Sequence, residues 1–132
     1  MINMADNYLH SDLTSIIIKA FSTVYNRLGF GFLEKVYQNP LMIELRKSGL
    51  HCKTRQPIDV FYDDCEVGIY FADIVVNNCV IIENKAAENL CKEYEAQLEN
   101  YPKATEIEVG MLLNFGKKPA FKQKVFSKEF KS

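Results

Sequence analysis

The sequence predicts an α/β domain in which a mixed β-sheet is flanked by helices. Three observations lead to this prediction: two amphipathic helical segments open the chain, strand-like segments fill its middle, and a further helix precedes two more strands. The predicted order is α-α-β-β-β-α-β-β, without an internal repeat, linker or low-complexity segment. With 132 residues, 48% of them hydrophobic, we expect one domain over 1–132, with 1–10 and 127–132 as flexible ends.

Two helices are predicted in the first part of the chain. Apolar residues recur at helical spacing over residues 11–28, and Ser11 or Asp12 is a candidate N-cap. A glycine-containing turn follows. The second helix is predicted from about Leu33 to Lys47, and Pro40 inside it should kink it or shift its hydrogen bonding.

The remaining segments predict a sheet with one more helix. Residues rich in β-branched side chains and bounded by turn signals predict strands over 54–62, 66–76, 80–85, 107–115 and 120–126. The intervening helix is predicted over 90–101. Pro102 should end it, because the residue before a proline is disfavoured in helical geometry.

The hairpin formed by residues 71–76 and 80–85 places charged groups among aliphatic residues. Glu83 and Lys85 must project from one face, because side chains alternate along a strand. With a two-residue loop Asp73 would lie opposite Ile82, and the two acids would point to opposite faces. With a three-residue loop Asp73 would lie opposite Glu83, and asparagine tolerates the left-handed conformation that such loops use. The sequence leaves both registers open.

Two adjacent carboxylates indicate a cation between them. They repel each other, and one ammonium group offsets this repulsion only in part, so a divalent metal is the natural partner. The alternative is that Glu83 and Lys85 form the solvated side of an edge strand.

Positive charge is concentrated at the end of the chain. The net charge is −1, yet from Phe115 onward six lysines accompany one acid, whereas 10 basic and 16 acidic residues precede it. A basic segment on an acidic body suits contact with a phosphate backbone. The candidate nucleic-acid-binding residues are Lys117, Lys118, Lys122 and Lys124. A solvated, frayed terminus is the alternative.

Other classes of site and location find little support in the sequence. The four cysteines are scattered and form no CxxC pair, which predicts reduced thiols in a cytoplasmic protein. No apolar run has the length of roughly 18 residues that a membrane span needs, and the start does not have the pattern of a secretion signal. His10 and His51 are isolated, which argues against a histidine-assisted serine or cysteine nucleophile.

The acidic hairpin and the following helix resemble nuclease motifs. Asp73, nine residues and then Glu83-Asn84-Lys85 resemble the D-(x)n-E-x-K signature of the PD-(D/E)xK nuclease superfamily. Gln97 and Tyr101 resemble the Q-x-x-x-Y motif of its RecB-type branch.

The N-terminal half carries a further motif. Residues 31–37 match the G-x-x-E-x-x-Y pattern of the GxxExxY family, and residues 113–116, LNFG, are typical of that family. The resemblance extends over residues 13–126. Three positions depart from the pattern: Asn84 is polar where the family has an aliphatic residue, Tyr25 replaces an expected histidine, and Pro102 directly follows the tyrosine of the Q-x-x-x-Y motif.

The resemblance implies a restriction-endonuclease-like fold and a site for Mg²⁺ or Mn²⁺. By this likeness, the metal ligands are Asp73, Glu83, the backbone carbonyl of Asn84 and Glu34 at the start of the second helix. Such hard oxygen ligands favour these ions over zinc. Glu34 could instead be a first-turn acid favoured by the helix dipole.

The same resemblance implies that the acids act together with three further residues. Lys85 would orient or activate water, and Gln97 and Tyr101, four apart on one helix face, could both reach the site. Alternatively, Gln97 is a surface residue, and Tyr37 and Tyr101 are core aromatic residues.

The implied function is metal-dependent hydrolysis of DNA or RNA, with DNA favoured. The alternative is a weakly active or inactive nuclease-fold module that binds nucleic acid or a protein partner. Exposed aromatic residues near the termini would permit a homo-oligomer without requiring one.

Overall fold

The computed structural model describes residues 10–103 and 107–125, without the side chains of residues 100–103. The helices are α1 (Ser11–Leu28), α2 (Glu34–Lys47) and α3 (Lys92–Lys103). The strands are β1 (Cys52–Tyr62), β2 (Cys65–Val76), β3 (Val80–Lys85), β4 (Val109–Asn114) and β5 (Ala120–Val125). Residues 1–9 and 127–132 of the predicted flexible ends lie outside the described residues. No helix in the described part is both long and apolar enough to cross a membrane.

The five strands form one mixed sheet in the order β1-β2-β3-β4-β5. β3 and β4 are parallel and are joined through α3, whereas the other neighbouring pairs are antiparallel. The predicted element order and the mixed sheet flanked by helices are confirmed. β3 and β4 are almost completely buried, as expected for strands in the middle of a sheet covered on both faces.

Helices cover both faces of the sheet and create two hydrophobic clusters. The larger cluster joins α1 and α2 to one face, and its aromatic centre contains Phe21, Tyr37 and Phe115. The smaller cluster lies on the other face, where Leu98 of α3 packs with Ile81 and Leu112. Side chains at alternate positions of β3 therefore enter different cores.

The turn before α2 is fixed by Tyr37. Its ring is fully buried and stacks on Phe115, with 4.4 Å between the centroids. Its hydroxyl donates to the carbonyl of Gly29 at 2.7 Å and accepts from the N–H of Phe32 at 3.3 Å. Gly29 and Gly31 have φ values of 68° and 110°, which glycine adopts without steric penalty. The tyrosine of the G-x-x-E-x-x-Y pattern is thus a core residue that closes this turn.

The predictions for the start of α1 and for the end of α3 were wrong. The N-cap of α1 is His10, in the left-handed conformation and without a side-chain cap, so the prediction of Ser11 or Asp12 was wrong. Both of those residues lie inside the first turn, where they cannot adopt the extended geometry of an N-cap. α3 continues past Pro102 to Lys103, so the prediction that Pro102 ends it was also wrong. A proline in the last turn removes only one helical hydrogen bond.

Pro40 lies inside α2, which runs as one helix from Glu34 to Lys47. Leu33 is the N-cap rather than the first helical residue, because its backbone is extended. Glu34 is therefore the first residue of the helix.

Candidate active site

The loop between β2 and β3 determines where the acidic residues point. The strands pair as Ile74 with Ile82 and Val76 with Val80, which leaves a loop of residues 77–79. Asn77 and Asn78 have left-handed φ values of 51° and 56°. Of the two registers that the sequence leaves open, the structure has the one with the three-residue loop. Asp73 and Glu83 consequently share the face of the sheet that α3 covers.

β2 and β3 separate at Asp73 and Glu83. There the two carboxylates accept the hydrogen bonds from the backbone N–H groups of the opposite strand. The β2–β3 ladder ends at Ile74 and Ile82. Beyond it, the N–H of Asp73 donates to Glu83 Oε1 at 3.3 Å, and the N–H of Asn84 donates to Asp73 Oδ2 at 2.8 Å. Each carboxylate therefore accepts a backbone N–H of the opposite strand. This exchange fixes both head groups side by side.

Burial distinguishes this pair from ordinary surface acids. Glu83 is only 6% exposed, and Asp73 is partly buried. Since β3 lies between β2 and β4, the alternative that Glu83 and Lys85 are the solvated side of an edge strand is wrong. Burial raises the pKa of Asp73, while the N–H of Asn84 and the charge of Lys85 oppose the shift only in part. The site therefore disfavours negative charge unless a cation compensates it.

α3 positions the ammonium group of Lys85. Its Nζ lies 3.5 Å from Gln97 Oε1 and 4.7 Å from the centre of the Tyr94 ring. Sequence reasoning named Gln97 but missed Tyr94. Spacing could have indicated it, because residues three apart share a helix face. The side chain of Tyr101 lies outside the described residues.

The end of β3 is clamped by the last residue of β4 and by the segment that follows it. Asn114 Oδ1 accepts from the N–H groups of Ala87 (2.9 Å) and Gly116 (3.1 Å), and Asn114 Nδ2 donates to the Ala87 carbonyl at 3.0 Å. The N–H of Phe115 donates to the Lys85 carbonyl at 2.7 Å. The LNFG segment, residues 113–116, thus fixes the position of the backbone at Lys85.

Tyr25 supports this clamp from α1. Its hydroxyl lies 2.9 Å from the carbonyl of Gly116 and 3.1 Å from that of Lys117, and it donates to them. The tyrosine that replaces an expected histidine is therefore bonded to the loop rather than to the acid pair.

Glu34 lies apart from the acid pair. It is exposed and lines a shallow depression together with Phe32 and Ala86. Gln38, one turn further along α2, donates to the carbonyl of Asp73 at 3.4 Å, so this helix face is directed towards the site. Within residues 10–103 and 107–125, however, no three His, Cys, Asp or Glu side chains converge as metal ligands. Asp73 and Glu83 form a two-carboxylate site.

The side chain of Asn84 points away from the acids. It is 2% exposed, and neither its Oδ1 nor its Nδ2 has a hydrogen-bond partner in the described part of the chain. Only the backbone of Asn84 belongs to the site, through the N–H that binds Asp73. The polar side chain where an aliphatic residue was expected thus lies unsatisfied beneath the site.

The candidate nucleic-acid-binding lysines fall into two groups. Lys117 and Lys118 are exposed beside the loop that follows β3, and Lys122 is exposed on β5. Lys124 instead forms ion pairs of 3.1 and 3.7 Å with Glu95 and Glu99 of α3. The first three lysines therefore remain accessible to a phosphate backbone, whereas acids neutralise the fourth.

The oxygen donors at the acid pair fit Mg²⁺ or Mn²⁺. Magnesium commonly binds one or two carboxylates and completes its coordination with water and substrate phosphate oxygens. The partly compensated charge of the two adjacent carboxylates supplies the electrostatic reason for a cation to bind. All four cysteines are free, and none belongs to a ligand group among the described residues.

Solved structures with a similar fold include a nuclease. The crystal structure of SSO0001 superposes with a TM-score of 0.54 at 16% identity, over 70% of this chain and 50% of that chain. An alkaline exonuclease from Laribacter hongkongensis superposes with a TM-score of 0.50 at 11% identity, over 67% of this chain and 53% of that chain. At such identities the likeness concerns the fold alone, and this chain spans about half the length of either protein.

The family comparison covers most of the sequence. No curated protein matches the chain. A family model described as the PD-(D/E)XK nuclease superfamily matches residues 11–126, from the start of α1 to the residue after β5. This range contains both strands of the acidic hairpin, Lys85 and Gln97. The chain belongs to the PD-(D/E)XK nuclease superfamily.

Proposed function

We propose that this protein is a metal-dependent nuclease that hydrolyses phosphodiester bonds of DNA or RNA, with DNA favoured. The observation that carries the proposal is the side-by-side placement of Asp73 and Glu83, with Lys85 held beside them by α3. The motifs at residues 31–37 and at Gln97 support placing it in the GxxExxY family of the RecB-like branch.

Asp73, Glu83 and the backbone carbonyl of Asn84 would hold Mg²⁺ or Mn²⁺. When bound, the metal supplies a Lewis acid that stabilises charge on the phosphoryl oxygen and lowers the pKa of water. Glu34, exposed at the start of α2, is proposed as a further ligand of the same metal ion.

The remaining polar side chains orient the reactants. Lys85 carries a positive charge next to the acids, where it can donate hydrogen bonds to the attacking water or to a non-bridging phosphate oxygen. Gln97 and Tyr94 restrict the ammonium group to this position. Tyr101, one turn after Gln97, is proposed to extend the same helix face towards the substrate.

Nucleic acid would approach across the lysines beside the site. Lys117, Lys118 and Lys122 are the proposed backbone contacts, whereas Lys124 contributes less because it is paired with acids of α3. Association of two copies would extend this surface, and size-exclusion chromatography with light scattering would measure it.

A cleavage assay tests the proposal. Labelled single- and double-stranded DNA and RNA are incubated with the protein and Mg²⁺ or Mn²⁺. We expect Asp73→Ala and Glu83→Gln to lower cleavage by roughly a thousandfold or more, because each removes a metal ligand. Asp12→Asn, an exposed acid at the start of α1, is the control and should keep full activity. Equal cleavage by all variants would indicate a contaminant. Binding without cleavage by the unaltered protein would favour the non-catalytic alternative.

A further inference from the structure

Arg55 has an unusual backbone conformation for a strand residue. Its φ is 50°, in the left-handed region that side chains other than glycine rarely adopt. The β1–β2 ladder pairs Thr54 with Ile74 and Gln56 with Ala72, and it omits the position of Arg55 between them. Such outliers persist where the surrounding structure enforces them, and they concentrate at binding and active sites.

The register puts this arginine next to the acid pair. The pairs on either side place Arg55 across from Asp73, on the side opposite to Glu83. The side chain is exposed, and no carboxylate in residues 10–103 and 107–125 forms an ion pair with it. A guanidinium group with free donors therefore flanks the site opposite to Lys85.

An exposed aromatic ring supports this guanidinium group. The Arg55 Cζ lies 5.1 Å from the centre of the Phe71 ring. Phe71 precedes Asp73 by two residues in β2, and it is 48% exposed. A guanidinium group on a ring keeps its edge donors available for phosphate. The uncovered part of the ring offers an apolar surface next to the guanidinium group.

The charged residues of the β1–β2 hairpin limit the path that a bound nucleic acid can take. The outer end of the β1–β2 hairpin is acidic, with Asp59, Asp63, Asp64 and Glu66. These carboxylates repel phosphates, whereas Arg55 and Lys85 attract them at the base of the hairpin. A strand that enters the site is thereby confined to the base, where it passes the exposed ring.

We propose that Arg55 and Phe71 form a binding site for single-stranded nucleic acid next to the acid pair. Arg55 binds a backbone phosphate adjacent to the reacting one, and Phe71 stacks on an unpaired base. Base–aromatic stacking needs a base whose face is free, so this site selects single strands or unpaired ends over intact duplex. The inference rests on the proposed function and adds the substrate class.

Fluorescence anisotropy tests the site without turnover. The ligands are a dye-labelled DNA strand of about 12 nucleotides and the matching duplex, in EDTA. We expect Arg55→Gln to weaken single-strand binding about tenfold and to reduce the log–log salt slope by about one. We expect Phe71→Leu to weaken single-strand binding about tenfold while duplex binding changes less than about twofold.

Matched variants separate this site from general effects. Arg27→Gln removes the same charge from α1, and Phe61→Leu removes an exposed ring at the outer part of the hairpin; both should bind as the unaltered protein does. Phe71→Tyr keeps an aromatic ring and should retain affinity, and melting curves confirm that each variant is folded. The inference fails if the control variants lose as much affinity, if Phe71→Leu has no effect, or if duplex binds as tightly as single strand.

Cleavage data distinguish this inference from the proposed function. If Arg55→Gln and Phe71→Leu bind normally while Asp73→Ala abolishes cleavage, the binding site is refuted and the nuclease proposal stands. If the unaltered protein never cleaves but both variants lose single-strand affinity, the binding site stands without the nuclease proposal.

Discussion

At the scale of single residues, the two acids have a structural role as well as a proposed chemical one. Asp73 and Glu83 each accept a backbone N–H across the point where β2 and β3 separate. They therefore replace the hydrogen bonds that a continuing ladder would make. Without a cation, this placement brings two carboxylates together in a partly buried site. Their repulsion should lower the free energy of unfolding of the metal-free protein.

Asp73→Asn should stabilise the metal-free protein at neutral pH. Burial raises the pKa of Asp73, so the folded chain binds this proton more tightly than the unfolded chain does. The free energy of unfolding therefore falls as pH rises from the ordinary aspartate value of about 4 through the raised pKa. An asparagine stays neutral, and we expect it to raise Tm by roughly 3–5 °C at pH 7–8 and not below pH 4.

Thermal melts in EDTA across this pH range measure the effect. Asp12→Asn, at an exposed position of α1, should leave Tm nearly unchanged. A Tm of Asp73→Asn equal to or below that of the unaltered protein at pH 7–8 would contradict the account.

Two buried asparagines should respond in opposite directions to replacement by leucine. Neither side-chain atom of Asn84 has a partner among the described residues, whereas Asn114 makes three hydrogen bonds to Ala87 and Gly116. We expect Asn84→Leu to raise the free energy of unfolding by about 1–3 kcal/mol, because it removes unsatisfied polar groups. Asn114→Leu should lower it by roughly 3 kcal/mol, because it leaves backbone groups unpaired. Urea denaturation measures both, and a destabilised Asn84→Leu would mean that the amide has a partner.

At the scale of elements, the site depends on how β3 ends. β4 and the residues after it hold the Lys85 carbonyl and both polar groups of Ala87. Gln97 and Tyr94 of α3 then fix the position of the Lys85 ammonium group. The lysine is thus positioned by two elements other than its own strand.

Gly116→Ala should disrupt this clamp. A Cβ at position 116 would overlap the carbonyl oxygen of Ala87, a backbone atom that can move only with the end of β3. We expect a loss of roughly 1–3 kcal/mol in the free energy of unfolding. Because the shift moves Lys85, cleavage should fall by more than the folded fraction does.

Gly68→Ala is the matched control, since no atom lies near its Cβ position, and it should change stability by less than about 0.5 kcal/mol. Equal behaviour of the two variants in denaturation and cleavage would refute the clamp.

At the scale of the whole molecule, local patterns predicted the element order correctly. Helical periodicity predicted α1 with its observed bounds, and β-branched runs predicted β3 over residues 80–85. The errors lie at helix ends, such as Pro102, because one tolerated proline or one cap changes the energy little.

The site was predictable only in part, for a physical reason. The identities of Asp73, Glu83 and Lys85 follow from sequence, but their common face depends on two asparagines adopting left-handed conformations. Arg55 and Tyr94 were missed, because Arg55 is brought to Asp73 by the β1–β2 register and Tyr94 is brought to Lys85 by the packing of α3. Sequence patterns describe neighbours along the chain, whereas these contacts join separate elements.

The central claim is that Asp73 and Glu83 bind a shared divalent cation, and calorimetric titration with Mn²⁺ tests it most directly. We predict a saturable heat signal for the unaltered protein and for Asp12→Asn, and its loss in both Asp73→Asn and Glu83→Gln. These substitutions remove carboxylate charge at nearly constant size, so lost binding would be electrostatic in origin. Undiminished Mn²⁺ binding by either site variant would contradict the account.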